Sequence, residues 1–105
     1  MKVTKFVVSH SVETFRAGDK SSTFVSMNVD LDIPIDIDEF PLVQLEASER
    51  AFRSCMYNAL SKGQLSKDEV KGRIESNKQN MEMISSAIKK KISSVKLQDG
   101  KTKTE

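Results

Sequence analysis

The stretch from Phe24 to Asp38 constrains the chain more than any other: every odd position from Val25 to Ile37 is apolar, and every even position from Ser26 to Asp38 is polar or Pro. Strict period-two alternation sends successive side chains to opposite faces of a sheet, as a half-buried strand requires. A helix would scatter the same residues around its circumference. A strand is therefore expected, with regular pairing ending near Ile33 because Pro34 has no N–H to donate. Ile35 and Ile37 are expected to continue as an extended crossing segment that still points inward.

A partner strand precedes it. Residues 3–16 are rich in Val, Phe, Thr and Ser, and Ala17-Gly18-Asp19-Lys20 reads as a turn in which Gly18 or Asp19 takes a positive φ. A four-residue loop would pair Arg16 with Ser21. By register it then pairs Val12 with Val25, His10 with Met27, Val8 with Val29 and Phe6 with Leu31. The apolar side chains of both strands share one face, and the outer face sets Glu13 against Phe24, Ser11 against Ser26 and Lys5 against Asp32.

Helical signals follow. Asp38-Glu39-Phe40-Pro41 suits a helix start, since acids and Pro are favoured in a first turn. The stripe Leu42, Leu45, Phe52, Cys55, Met56, Ala59 and Leu60, widened by Val43, Ala47 and Ala51, predicts a helix from about Pro41 to Lys62. Gly63 fits the position just past its end. Ser66-Lys67-Asp68-Glu69 matches a capping box and opens a second helix to about Ile92. Its seam of Val70, Ile74, Met81, Ile84 and Ile88, with Asn77 in the gap, is heptad-like. Gly72 lowers helix propensity by about 1 kcal/mol. Residues 98–105 are polar and expected to be a disordered tail, leaving one domain over 1–97. The fold class expected is α+β: a two-stranded antiparallel β-hairpin packed against an antiparallel αα-hairpin.

Charge is segregated along the chain. Residues 1–20 carry +2, residues 21–49 carry seven acids and no Lys or Arg, and residues 50–105 carry thirteen bases against six acids. Such asymmetry marks a polyanion-binding surface, subunits that meet with opposite charges facing, or solvated faces of a small fold. The single cysteine, Cys55, excludes an intrachain disulfide and suits a reducing compartment. No apolar run has the length of a signal peptide or a membrane span. A soluble, cytoplasmic protein is expected, with no membrane association.

Two local resemblances add to this. Met1-Lys2-Val3-Thr4-Lys5 with Val7 and Ser9, then Gly18-Asp19, Ser22 and Val29-Asp30-Leu31 before a helix, resembles small bacteriophage accessory proteins over about the first sixty residues. Such proteins are often found beside single-strand DNA-binding or recombination proteins. Pro34 and the long second helix depart from their pattern. Separately, Leu60-Ser61-Lys62-Gly63-Gln64-Leu65-Ser66-Lys67-Asp68-Glu69-Val70 is similar to the short helical hairpin called SHOCT, an oligomerisation or interaction element. Neither resemblance implies a catalytic residue.

The residues contain no catalytic constellation, so no enzyme and no cofactor are expected. Asp30, Asp32, Asp36 and Asp38 form an acidic ladder, but alternate residues of a strand stand about 7 Å apart, too far to converge on one cation. One His and one Cys cannot assemble a usual zinc ligand set. His10 and Cys55 could form a nucleophilic pair, but a packed Cys and a hydrogen-bonded His are the expected state. Two binding functions remain. In the first, the acidic ladder engages a protein partner, in a phage- or prophage-encoded protein that engages or inhibits a host or phage protein. In the second, Lys5, Phe15, Arg16, Lys20 and Phe24, with Lys89, Lys90 and Lys91, bind single-stranded nucleic acid through phosphate contacts and stacking. Unpaired hairpin edges favour a homo-oligomer, most simply a dimer that joins hairpins or pairs the second helices.

Overall fold

The structure is a computed structural model that describes the backbone of residues 1–104 and the side chains of residues 1–94. Two antiparallel strands, β1 (Lys2–Arg16) and β2 (Asp19–Asp36), form the whole sheet, and two helices follow, α1 (Phe40–Ser61) and α2 (Lys67–Thr104). The architecture is α+β, a β-hairpin packed on a helical hairpin. Glu105 lies outside the described residues, and the tail expected over 98–105 lies outside those whose side chains are described. The α2 helix runs on past the expected end at Ile92.

The turn is tighter than expected. Arg16 pairs with Asp19, so only Ala17 and Gly18 cross between the strands, at φ 52° and 81°. Two consecutive positive φ angles make a type I′ turn, whose twist matches that of the flanking strands. The register is consequently displaced by two residues from the expected one: Val12 pairs with Thr23, His10 with Val25, Val8 with Met27, and Phe6 with Val29. A displacement of two leaves each side chain on its expected face. On the outer face Ser11 meets Phe24, and Lys5 meets Asp30 rather than Asp32.

Pairing does not stop at Ile33 but jumps. Beyond Lys5–Asp30 the next partners are Val3–Ile35 and Lys2–Asp36, so Thr4 stands against the whole stretch Leu31 to Pro34. The missing N–H of Pro34 falls inside this irregularity, where no ladder bond is lost. Ile37 N–H then donates to the Met1 carbonyl at 3.2 Å.

Helix α1 lies against both strands and carries α2 on its other flank. Two strands are about 10 Å wide, the diameter of one helix, so the sheet has room for a single helix. Close approach comes from small residues four apart: Ala47, Ala51, Cys55 and Ala59 are all buried against the sheet. Phe52 and Met56 complete a core with Val12, Leu65 and Val70, while Val8 packs with Ala47 and Ala51. Phe6 meets Phe40 edge-on, with ring centroids 5.0 Å apart. Gly63, at φ 75°, ends α1 in a Schellman motif: Gln64 N–H donates to Ala59 O and Gly63 N–H to Leu60 O. The capping box forms in both directions at 3.2 Å between Ser66 and Glu69. Gly72 has open space around it and serves no close approach. Among the described residues, no helix is long and apolar enough to cross a membrane.

Candidate functional site

The hairpin has two ends, and they treat their polar groups differently. At the turn end, the Schellman motif delivers Gln64 into the sheet. Its Nε2 donates to Val12 O at 3.2 Å and Ser21 O at 3.0 Å, while its Oε1 accepts from the Thr23 hydroxyl. Lys62 Nζ donates to Ser22 O at 2.7 Å and reaches Thr23 Oγ1. The Cys55 thiol donates to Thr23 O at 3.6 Å. Gln64 and Thr23 are both buried, and every polar atom of the Gln64 amide is used. Sequence reasoning missed both residues. Thr23 is the buried polar residue of the inward odd row, next to the apolar run that starts at Val25, and that break in the alternation was the available signal.

Arg16, expected as a phosphate contact, forms an ion pair with Glu69. The hydrogen bond from Arg16, then the Ser66 backbone, hold the Glu69 carboxyl below its ordinary range. Lys20 pairs with Glu13 at 3.4 Å and lies 5.9 Å from the centre of the Phe15 ring. Phe15 and Phe24 are 71% and 68% exposed on the uncovered face of the sheet. They are not neighbours, because Phe15 stands at Lys20 and Phe24 at Ser11. Lys89, Lys90 and Lys91 are exposed on α2, no Cα of which comes within 8 Å of either strand among the described residues. The expected nucleic-acid set is thus divided between the turn, the outer face and a separate helix.

The other end gathers the acidic ladder. Asp30 stands opposite Lys5, and Asp36 lies 3.9 Å from Lys2. Asp32 sits in the irregular stretch and Asp38 in the turn before α1, both exposed, with no ion pair among the described residues. Between them Ile33 is 77% exposed, and Ile37 is also exposed rather than inward as expected. The cause is local: with Leu31 to Pro34 out of register, Ile33 has no cross-strand partner. Along the chain, the four exposed aspartates thus flank an exposed isoleucine.

The nucleophilic pair does not assemble. His10 packs edge-on against Phe52 at 4.9 Å, and burial lowers its pKa. Cys55 is fully buried, and burial raises its thiol above the ordinary value, opposed by the charge of Lys62. Among the described residues, no three His, Cys, Asp or Glu side chains are grouped to hold a metal ion.

Compared with known protein families, curated proteins and solved structures, the chain matches none.

Proposed function

We propose that the chain is a non-catalytic binding protein that engages a protein partner through the open end of its hairpin. The observation carrying this reading is the displaced stretch Leu31 to Pro34, which turns Ile33 outward among Asp30, Asp32, Asp36 and Asp38. An apolar anchor inside a charged rim is the usual anatomy of a protein-binding patch. The partner that fits is a basic protein surface with an apolar pocket for Ile33. The resemblance of the first sixty residues to phage accessory proteins is the ground for seeking that partner in a phage-infected cell, where binding would inhibit or recruit it.

The register selects the test variants. Asp30→Lys would set two lysines opposite each other across the strands and disturb folding, so Asp32→Lys and Ile33→Ser are the informative changes. A partner captured from infected cells and identified by mass spectrometry should be lost from both variants while their circular dichroism stays unchanged. Capture that survives both changes would remove the open end as the site.

A second reading rests on Phe15, exposed beside Lys20 at the turn. An exposed aromatic with a nearby cation is a stacking platform for single-stranded nucleic acid. If it serves so, log affinity for a labelled thirty-mer falls with log salt by roughly 0.7 per phosphate contact. Fluorescence anisotropy showing no binding at low salt would remove this reading and leave the first intact.

A further inference from the structure

A two-stranded sheet leaves the outer edge of each strand unpaired, and the two edges here are not equivalent. On β1 the inward apolar run is broken, with Val8 and Val12 buried and Phe6, His10 and Thr14 half-buried, whereas on β2, beyond the buried Thr23, Val25, Met27, Val29 and Leu31 form an unbroken half-buried row. The helix layer lies on both strands, and a continuous row of incompletely covered apolar side chains is left along β2.

The backbone of that flank is oriented for pairing. Arg16 and Asp19 bracket a two-residue turn and form a hydrogen-bonded pair, and such pairs recur at every second residue. Odd residues of β2 therefore turn N–H and C=O toward β1. Phe24, Ser26, Asn28 and Asp30 turn theirs away, toward the open edge. Natural edges are protected by Lys, Pro or bulges. Lys62 guards this edge at the Ser22 carbonyl, but from Phe24 to Asp30 β2 has no Lys, Arg or Pro, and its irregularity begins only after Asp30.

From this juxtaposition we infer that β2 is a homodimer interface, joining two copies edge to edge, antiparallel, into a four-stranded sheet centred on Met27. The occupant is a second copy because the row is self-complementary about that residue. With the two-fold axis at Met27, Val25 of each copy meets Val29 of the other on the inner face. Ser26 meets Asn28 and Phe24 meets Asp30 on the outer face, with no like charges opposed. An isologous contact of this kind closes at two copies. Pairing ends where Leu31 to Pro34 leaves the sheet, so Asp32 and Ile33 stay outside it. Only Asp30 is common to this interface and the proposed partner site, and Asp32→Lys and Ile33→Ser test the latter without touching the dimer contact.

Proline substitution tests it by direction. Ser26→Pro deletes an N–H that faces the open edge, so the hairpin retains its own ladder. Val25→Pro deletes one that faces β1 and is expected to unfold the chain, which checks the amide assignment. In sedimentation equilibrium at tens of micromolar the wild-type chain should have dimer mass, and Ser26→Pro monomer mass with an unchanged helical spectrum. If Ser26→Pro itself unfolds, Asn28→Lys decides the matter, since it adds charge at the interface without touching the backbone and should weaken association at least about tenfold. A monomeric wild-type chain overturns the inference. So does a dimer that persists at wild-type strength in Asn28→Lys or folded Ser26→Pro, because its interface must then lie elsewhere.

Discussion

The two ends of one hairpin share strands, alternation and helix cover, yet one is closed and the other is open. At the turn end, a polar side chain from the loop between α1 and α2 satisfies carbonyls of both strands, and Leu65 and Val70 seal it. At the open end, four residues of β2 stand against Thr4 alone, and an isoleucine faces outward. The difference shows what makes a strand pair rigid here. Helix α1 packs on both strands, but among the described residues only at the turn end does one side chain hydrogen-bond to both strands at once.

Core truncation should separate the ends most clearly. Met56→Ala removes a fully buried side chain from the turn-end cluster and is expected to destabilise by about 2–5 kcal/mol. Leu31→Ala, half-buried at the open end, should lower stability by about 1 kcal/mol or less. Urea unfolding of both variants checks the ranking, and equal losses would abolish the contrast.

Next in size is Gln64→Ala. It leaves the Thr23 hydroxyl and a buried carbonyl without their Gln64 bonds, a loss of about 1–3 kcal/mol. Gln64→Glu should fare no better, because a carboxylate cannot donate to Val12 O and Ser21 O. A Gln64→Ala chain as stable as wild type would mean that the loop merely rests on the sheet.

Much of this was legible in the sequence, and the exceptions have particular causes. The alternation from Val25 assigned the side chains between the turn and the Lys5–Asp30 pair to their faces, and fails only beyond the irregularity, where Val3 meets Ile35. It could not assign the register, because a displacement of two preserves the faces, and Ala17 gives no sign of the positive φ that tightens the turn. The small-residue seam of α1 was visible as Ala47, Ala51, Cys55 and Ala59, but its meaning depends on how near the sheet lies. Ile33 continues the inward phase in sequence; only the local loss of pairing turns it to solvent. Gln64 reads as an ordinary loop residue until Gly63 is seen to direct it at the strands.

Acid should then weaken the fold in two windows. The pKa of His10 is lowered by burial, so the unfolded chain takes the proton first. Stability should begin to fall as pH drops through 6.5, the ordinary value, and the loss is complete once His10 protonates in the folded state. His10→Leu should flatten that window. Glu69 is also lowered, chiefly by Arg16, so its contribution holds above about 4.5 and disappears as pH falls through its folded pKa. Arg16→Ala should narrow this second window and leave the first unchanged. Urea midpoints measured from pH 7 to 3 check both.

The smallest effect lies outside both ends. Gly72 is helical with open space where a Cβ would be added, so Gly72→Ala should stabilise by about 0.5–1 kcal/mol. A thermal midpoint that falls would reveal a contact made by that face of α2.

Residue-resolved amide exchange of β2 tests the contrast between the ends most directly. The β1-facing amides of Thr23, Val25, Met27 and Val29 should exchange only with large-scale unfolding. Those of Leu31 and Ile33 should exchange faster by orders of magnitude, through local opening. Protection that continues undiminished from Thr23 through Ile33 would contradict the account, since it would require the open end to be as firmly paired as the end closed by Gln64.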